Sequence, residues 1–306
     1  MLQLKEIILS ATETFLNQLK SFGDAQAVVS GADITRYAEL VEAAGLLWNQ
    51  IEGAGIGTGD VVALHAPHSA QASAALLALA ELKAISVPIT NVPAEKRREF
   101  HDVGQVEWVI DLSDGSGEPH IFRTGRHADH DLFELLRIES APGLVLFSSG
   151  TTGRSKASVL NLELMLSRYS ERRAPQRILS FLNLDHIGGI NTLLHTLSQG
   201  GAVITVPQRT PDEVFRTIER DRVSVLPTTP TFLTMTLISG AHLKYDTSTL
   251  KLLTYGTEPM PQQTLERIAI DLPNVKLKQT YGLSELGIMA TKSKANDSLW
   301  IQLGGS

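Results

Sequence analysis

The chain has 306 residues, a hydrophobic fraction of 42%, a charged fraction of 20% and a formal net charge of −6 at pH 7. This size suits one large or two medium domains, and the acidic balance argues against a broad nucleic-acid surface. The absence of cysteine excludes disulfides, thiolate metal sites and a cysteine nucleophile. The N-terminus makes a poor secretory signal, and the apolar run at 72–80 is too short to span a bilayer. We therefore expect a cytoplasmic protein without a membrane span.

Helical and strand patterns alternate along the whole chain. In the first half, helices are predicted at 37–51, 70–82 and 93–100, and strands at 61–64, 84–89 and 106–112. Residues 111–130 are rich in Gly, Ser, Asp and His, which is typical of a surface loop or hairpin, and they suggest a boundary between a first lobe (1–135) and a second lobe (136–306).

In the second half, strands are predicted at 144–147, 177–182, 202–206, 223–226, 250–254 and 275–279, with helices at 190–197, 211–220, 231–238 and 261–270 between the later ones. Such alternation predicts an α/β fold with mixed, largely parallel sheets flanked by helices in two lobes. Ligands of such sheets bind at the carboxyl ends of the strands.

The stretch FSSGTTGRSKASVL (147–160) begins at such a strand end. It offers several hydroxyl groups, and Gly150 and Gly153 allow the backbone to approach an anion closely. Lys156 supplies a point charge. The residues after the lysine are compatible with the start of a helix. The stretch therefore predicts a loop that holds phosphate groups.

Two other nucleotide-binding motifs do not fit the sequence. The nucleoside-triphosphatase P-loop, counted from Gly150, would need a second glycine where Ser155 stands and a hydroxyl where Ala157 stands. The dinucleotide fingerprint fails in GAGIGTGD (53–60), because Thr58 occupies its third glycine position and the segment precedes a strand instead of following one.

The loop is similar to the signature of the AMP-forming adenylating enzymes, a superfamily that includes acyl- and aryl-CoA synthetases, luciferase and peptide-synthetase adenylation domains. Their pattern is small-Ser-Gly-Thr-Thr-Gly-x-Pro-Lys-Gly, and this chain departs from it at Ser155 and Ala157. Further segments resemble the family in the right order: GDVVAL (59–64), LDHIGG (184–189), PTTP (227–230), YGTEP (255–259) and QTYGLSE (279–285). The resemblance implies the fold of the N-terminal domain of an adenylate-forming enzyme.

The resemblance also implies a reaction, in which a carboxylate attacks the α-phosphorus of ATP and gives an acyl-adenylate and pyrophosphate. The implied ATP-binding residues are Ser148, Ser149, Gly150, Thr151, Thr152, Gly153, Lys156, Thr257, Glu258, Pro259, Tyr281 and Ser284. The implied carboxylate pocket consists of His186, Gly256, Thr280 and Gly282. Catalysis is assigned to Lys156, Thr151, Ser284, Glu285 and His186, with Glu285 as the ligand of Mg²⁺.

Simpler structural roles compete with some of these assignments. His186 could be a hydrogen-bonded core histidine, Tyr281 could pack in a core, and Glu285 could stabilise a helix start. For Asp185 we favour a helix cap for Ile187 onward over a catalytic role. The pocket segments are small and apolar, and the recognised motifs contain no cation for a second carboxylate. This favours an aromatic or medium aliphatic acid over an amino acid.

The family normally continues well beyond the last motif seen here, with a ribose-binding aspartate, a hinge and a small C-terminal domain. We expect the chain to be truncated and weak or inactive alone, as an acid–thiol ligase whose acceptor is coenzyme A or the phosphopantetheine of an acyl carrier protein. The alternative is a non-catalytic nucleotide- or acyl-binding protein, or one completed by a partner. The sequence identifies neither the acid, nor the acceptor, nor the oligomeric state.

Overall fold

The structure is a computed structural model that describes residues 9–114, 117–148, 153–283, 287–289, 291–293, 295 and 297–303. The helices are α1 (Ala11–Lys20), α2 (Tyr37–Gly53), α3 (Ala70–Glu81), α4 (Ala94–Val103), α5 (Asp131–Glu139), α6 (Leu162–Leu166), α7 (Ile187–Ser198), α8 (Pro211–Asp221), α9 (Pro230–Ser239) and α10 (Gln262–Asp271), with 3-10 turns at Ser167–Tyr169 and Ala241–Leu243. No helix in this part of the chain combines the length and apolar character that a membrane crossing requires.

The strands form two sheets and two hairpins. They are β1 (Gln26–Ser30), β2 (Asp33–Arg36), β3 (Val61–His65), β4 (Ile85–Ile89), β5 (Trp108–Asp111), β6 (His120–Arg123), β7 (Gly143–Ser148), β8 (Lys156–Asn161), β9 (Arg177–Leu179), β10 (Ala202–Ile204), β11 (Val225–Thr228), β12 (Leu252–Tyr255), β13 (Lys276–Gln279), β14 (Tyr281–Leu283), β15 (Gly287–Met289), β16 (Thr291–Ser293) and β17 (Ile301–Leu303).

Most strand pairs are parallel, as the alternation of elements predicts. The seven-stranded sheet has the order β13-β12-β11-β9-β10-β1-β2, and only β2 runs antiparallel to its neighbour. The six-stranded sheet has the order β6-β5-β3-β4-β7-β8, in which the edge strands β6 and β8 are antiparallel. The expected α/β architecture of two largely parallel, helix-flanked sheets is therefore confirmed.

A layer of helices lies between the two sheets. Helices α1, α2, α3, α6 and α7 share one core with residues of both sheets, such as Leu64 and Val203. Helices α4 and α5 cover the outer face of the six-stranded sheet, and α8, α9 and α10 cover that of the seven-stranded sheet. Helix α3 is buried almost all round because it packs in the middle of this five-layer stack.

Two details differ from the sequence predictions. Residues 156–161 do not begin a helix but form β8, because they pair with β7 along its whole length, and the helix starts only at Leu162 with Asn161 as its cap. The lobe division at residues 135 and 136 stays a prediction, but the sheets do not divide there. The early strands β1 and β2 join the seven-stranded sheet, and β7 and β8 join the six-stranded one.

Candidate functional site

The predicted phosphate loop connects two antiparallel strands. Ser148 ends β7 and lies opposite Lys156, the first residue of β8. Gly153 has a φ of +84°, in the left-handed region that favours glycine. The predicted phosphate-binding residues Ser149, Gly150, Thr151 and Thr152 lie outside the described residues. A strand–loop–strand connection agrees with the rejection of the P-loop, whose lysine opens a helix.

The carboxyl-terminal side of this loop is anchored by α4. The backbone N–H of Ser155 donates to Glu99 Oε1 at 2.6 Å, and Lys96 Nζ lies 2.8 Å from Glu99 Oε2. The hydrogen bond from Lys96, followed by those from Ser155, lowers the pKa of Glu99 to about 2. Ser155 is buried while Lys156 is exposed. The loop therefore presents Lys156 to solvent beside a fixed residue, and sequence reasoning missed the anchor Glu99.

A cavity of about 260 Å³ lies between α7 and the inner face of the seven-stranded sheet. Strand alternation explains which side chains face it: Leu226, Leu253 and Leu277 pack against the outer helices, and their neighbours face inward. The lining residues are Gln176, Ile178, Leu182, Ile187, Gly188, Asn191, Thr192, His195, Val225, Pro227, Thr228, Leu252, Thr254, Gly256, Thr257, Lys278, Thr280 and Gly282. The cavity thus brings together Gly256, Thr280 and Gly282, the predicted carboxylate-pocket residues other than His186.

Two turns close the cavity at the carboxyl ends of β12 and β13. The backbone N–H of Thr280 donates to the carbonyl of Tyr255 at 2.8 Å. A Cβ on Gly256 would lie 2.6 Å from the carbonyl oxygen of Thr280 and 2.7 Å from its hydroxyl oxygen, so only glycine fits there. Thr257, which stands where the family usually has glycine, has a φ of +70°. That backbone conformation is unfavourable for a β-branched residue.

The amino end of α7 forms one wall of the cavity. His186 is the N-cap residue of α7 with a side chain that is 67% exposed, so it is not a core histidine. It adjoins Ile187 and Gly188, which line the cavity. The preference for Asp185 as a helix cap is wrong, because the helix has no side-chain cap and His186 occupies the cap position. Burial raises the pKa of the Asp185 carboxyl.

Three other predicted residues are not part of the cavity lining: Glu258, Pro259 and Tyr281. Glu258 Oε2 accepts hydrogen bonds from the N–H of Thr231 at 3.0 Å and from its hydroxyl at 2.5 Å. Pro259 is exposed, and Tyr281 is 41% exposed and therefore not core packing. Ser284 and Glu285 lie outside the described residues. Within the described ranges, no group of three or more His, Asp or Glu side chains could hold a metal ion.

Sequence reasoning missed the polar residues deeper in the cavity. Lys278, Asn191 and His195 contribute to the lining, so the cavity has a cation although the recognised motifs contain none. The hydroxyl of Tyr169 donates to Asn191 Oδ1 at 2.8 Å, and burial, followed by a nearby Arg173, lowers the pKa of His195. The period of a strand could have revealed Lys278, since it lies two residues before Thr280 and thus on the same face.

Known proteins resemble this chain over most of its length. The chain is 26% identical over 269 residues to a probable CoA ligase, CCL5, of Humulus lupulus, which covers 76% of this chain and 49% of that protein. It is 26% identical over 306 residues to the phenyloxazoline synthase MbtB of Mycolicibacterium paratuberculosis, covering 91% of this chain and 25% of that protein. The chain thus spans half or less of these relatives.

A solved structure shows the same fold. The NpsA N-terminal subdomain of Klebsiella oxytoca, in complex with 3-hydroxyanthranilyl-AMSN, superposes with a TM-score of 0.75 at 17% identity, covering 97% of this chain and 76% of that one. The family model described as AMP-binding enzyme matches residues 15–301. This match takes in both sheets, the hairpin that carries Lys156 and the cavity under α7, and the chain belongs to the family of AMP-binding enzymes.

Proposed function

We propose that this chain activates a carboxylic acid as its acyl-adenylate, with ATP as co-substrate and pyrophosphate as product. The observation that carries the proposal is the 260 Å³ cavity at the carboxyl ends of β11, β12 and β13. Gly256 and Thr280 come from separate motifs and meet at its mouth, where a side chain larger than hydrogen at position 256 would collide with Thr280. The space that the two motifs leave open is the proposed acyl pocket.

Positioning and electrostatics are the proposed sources of catalysis, because the charge that develops lies on phosphate oxygens. Lys156 at the start of β8 offers its ammonium group to the phosphates, and the glycine-rich loop before it offers backbone N–H groups. His186, exposed at the amino end of α7, is the residue proposed to contact the reacting carboxylate. Mg²⁺ neutralises phosphate charge when bound, and Glu285 is its proposed ligand.

The proposed substrate is an aromatic or medium aliphatic acid. Leu182, Ile187 and Leu252 give the cavity an apolar wall, and Asn191 and Lys278 add polar groups for a substituent of the acyl chain. The CoA ligase and phenyloxazoline synthase relatives support coenzyme A or a carrier-protein pantetheine as the acceptor. A location in the cytoplasm also remains a proposal.

Carboxylate-dependent exchange of labelled pyrophosphate into ATP tests the proposal. A panel of aryl, aliphatic and amino acids should give exchange with one class, and Lys156→Ala and Glu285→Ala should each lower the rate about 100-fold or more. Arg154→Ala is the matched control, since Arg154 is also exposed and precedes Lys156 by only two residues.

Binding measurements separate the remaining alternatives. Acyl-adenylate analogues that bind the native state raise the unfolding temperature even when turnover is absent. Binding without exchange would identify a non-catalytic or partner-completed protein, and it would also fit a chain that needs the segments its relatives have beyond this length. Neither binding nor exchange with any acid would contradict the proposal.

A further inference from the structure

A second polar cavity, of about 300 Å³, lies where the carboxyl ends of strands from both sheets meet. Thr90 follows β4 of the six-stranded sheet, and Ser180 follows β9 of the seven-stranded sheet. His68, in the loop after β3, and Arg209, in the loop after β10, complete the polar part of the lining. Its lining shares no residue with that of the proposed acyl pocket, so it is a separate space.

The side chains that line this second cavity have unusual hydrogen bonding. Both ring nitrogens of His68 and the hydroxyls of Thr90 and Ser180 are buried and have no hydrogen-bond partner among the described residues. A buried polar group left without a partner destabilises the fold. Unsatisfied groups that converge on one cavity are therefore the expected signature of a ligand that supplies several hydrogen bonds.

Charge indicates what kind of ligand fits. The cavity lining contains Arg209 and no Asp or Glu. The guanidinium of Arg209 donates to Asn183 Oδ1 and lies 5.9 Å from the centre of the Phe181 ring, which fixes its position. Asp185 interacts electrostatically with Arg209, but the two form no ion pair among the described residues, and burial raises the pKa of the Asp185 carboxyl. Burial, followed by the charge of Arg209, lowers the pKa of His68 to about 4, so at neutral pH its ring offers one N–H donor.

We propose that this cavity binds a phosphate group, either free or as a monoester. Phosphate oxygens accept hydrogen bonds from Arg209, from the His68 ring N–H and from the hydroxyls of Thr90 and Ser180. The site is independent of the proposed acyl-adenylation, because the phosphate loop at Lys156 and the acyl pocket use other residues.

Thermal unfolding at constant ionic strength tests the site, with inorganic phosphate and glycerol 3-phosphate as separate ligands and chloride as the reference. We expect a concentration-dependent rise of the unfolding temperature that is retained in Lys156→Ala, which removes the cation of the phosphate loop. Arg209→Gln should weaken the apparent Kd about tenfold or more, the effect of losing a charged hydrogen bond. A response to the monoester alone would identify an ester as the ligand, and a response to both would identify the phosphate group itself.

Thr90→Val provides a second variant that retains the fold. Because the Thr90 hydroxyl has no described partner, its removal should leave the ligand-free unfolding temperature unchanged or raised while it reduces the phosphate response. The proposal is overturned if neither ligand has an effect, which would mean that the cavity holds only water. It is also overturned if the response disappears in Lys156→Ala and persists in Arg209→Gln. Loss of acyl-adenylate binding alone would affect only the proposed function.

Discussion

The two sheets differ in how side chains occupy the space at the carboxyl ends of their strands. At the end of the seven-stranded sheet, Gly256 and Gly282 keep side chains out and leave a cavity. At the ends of β3 and β5 in the six-stranded sheet, beside α4, side chains contact one another instead. His65 Nε2 lies 2.9 Å from His101 Nε2, and His65 Nδ1 lies 3.4 Å from Asp111 Oδ2.

This difference shows that the fold offers a ligand site at the carboxyl end of each sheet, and that the side chains there decide whether a cavity remains. We call the cavity-lined carboxyl end of the seven-stranded sheet the open edge. The carboxyl end of the six-stranded sheet at the His65–His101 contact is called the filled edge. The glycines leave a substrate-sized space beside α7, whereas the histidine pair forms a non-covalent contact between β3 and α4. The following predictions test this contrast, from the largest expected effect to the smallest.

The position of α7, which forms one wall of the cavity at the open edge, depends on the close approach of this helix to the turn that precedes it. A Cβ on Gly189 would lie 1.8 Å from the carbonyl oxygen of Asn183, a collision with backbone that cannot move aside. We expect Gly189→Ala to lower the free energy of unfolding by about 3 kcal/mol, measured by urea denaturation.

Gly188→Ala is the matched control for that substitution. Its Cβ would meet only the Leu182 side chain, with Cδ1, the end of a flexible side chain, at 2.5 Å. A smaller loss is therefore expected. Equal losses in the two variants would show that the backbone contact does not set the position of α7.

The histidine pair at the filled edge should make the free energy of unfolding depend on pH. Burial lowers the pKa of His65, and burial, followed by the charge of His65, lowers that of His101 to about 4. An unfolded histidine titrates near 6.5, so between about pH 6.5 and 4 the unfolded chain binds more protons and stability falls as the pH falls. His101 is only partly buried, so solvent screening reduces the effect of its shift, and we expect His101→Gln to remove about 2 kcal/mol of this pH dependence, measured by urea denaturation from pH 7 to 4.

His127→Gln is the control for this pH effect, because the His127 side chain is 82% exposed, has Glu107 as its partner at 3.3 Å, and lies outside the His65–His101 contact. Its stability profile should follow that of the unmodified chain. A His101→Gln profile that also does so would show that the histidine pair does not link stability to pH.

Lys278 tests whether the open edge recognises the acyl group. We expect Lys278→Met to weaken the binding of acyl-adenylate analogues that carry a second anionic group about tenfold, and to leave uncharged analogues unaffected. Lys276→Met is the matched control, because Lys276 lies on the same strand outside the cavity lining. Isothermal titration of both variants with the anionic analogues makes the comparison. Equal affinities of Lys278→Met and Lys276→Met would show that Lys278 does not contact the acyl group.

The turn above the open edge contains a strained residue. Thr257 has a φ of +70°, which glycine adopts without strain. After allowance for the greater freedom of glycine in the unfolded chain, Thr257→Gly should stabilise the protein by about 0.5 kcal/mol. Thr254→Gly, in the neighbouring strand β12, should destabilise it. A lower unfolding temperature for Thr257→Gly would contradict this account of the turn.

Much of this architecture could be predicted because the local signals agree with the fold. The apolar run at 61–64 follows a glycine-rich turn, and helix α3 is rich in alanine, a strong helix former, so local composition indicates both elements. Residues 156–161 were mispredicted because a short segment after a glycine-rich loop carries no strong period. Its pairing with β7, a contact made in three dimensions, decides its structure.

The cavity shows the same limit for the site. Gly256, Thr280 and Gly282 could be predicted because each lies in a motif, whereas Lys278 and His195 lie between motifs. The cap role of Asp185 failed because the helix begins one residue later than that role requires. The second cavity could not be predicted at all, since His68, Thr90, Ser180 and Arg209 meet only when the two sheets pack together.

The most direct test of the central claim is the affinity of one tightly bound acyl-adenylate analogue for the unmodified chain and for Gly256→Ala, measured by isothermal titration. If the open edge is the acyl-adenylate site, the added methyl group displaces Thr280 and weakens binding about tenfold or more, while circular dichroism shows a folded protein. Unchanged affinity in a folded Gly256→Ala variant would place the acyl-adenylate elsewhere and contradict the account.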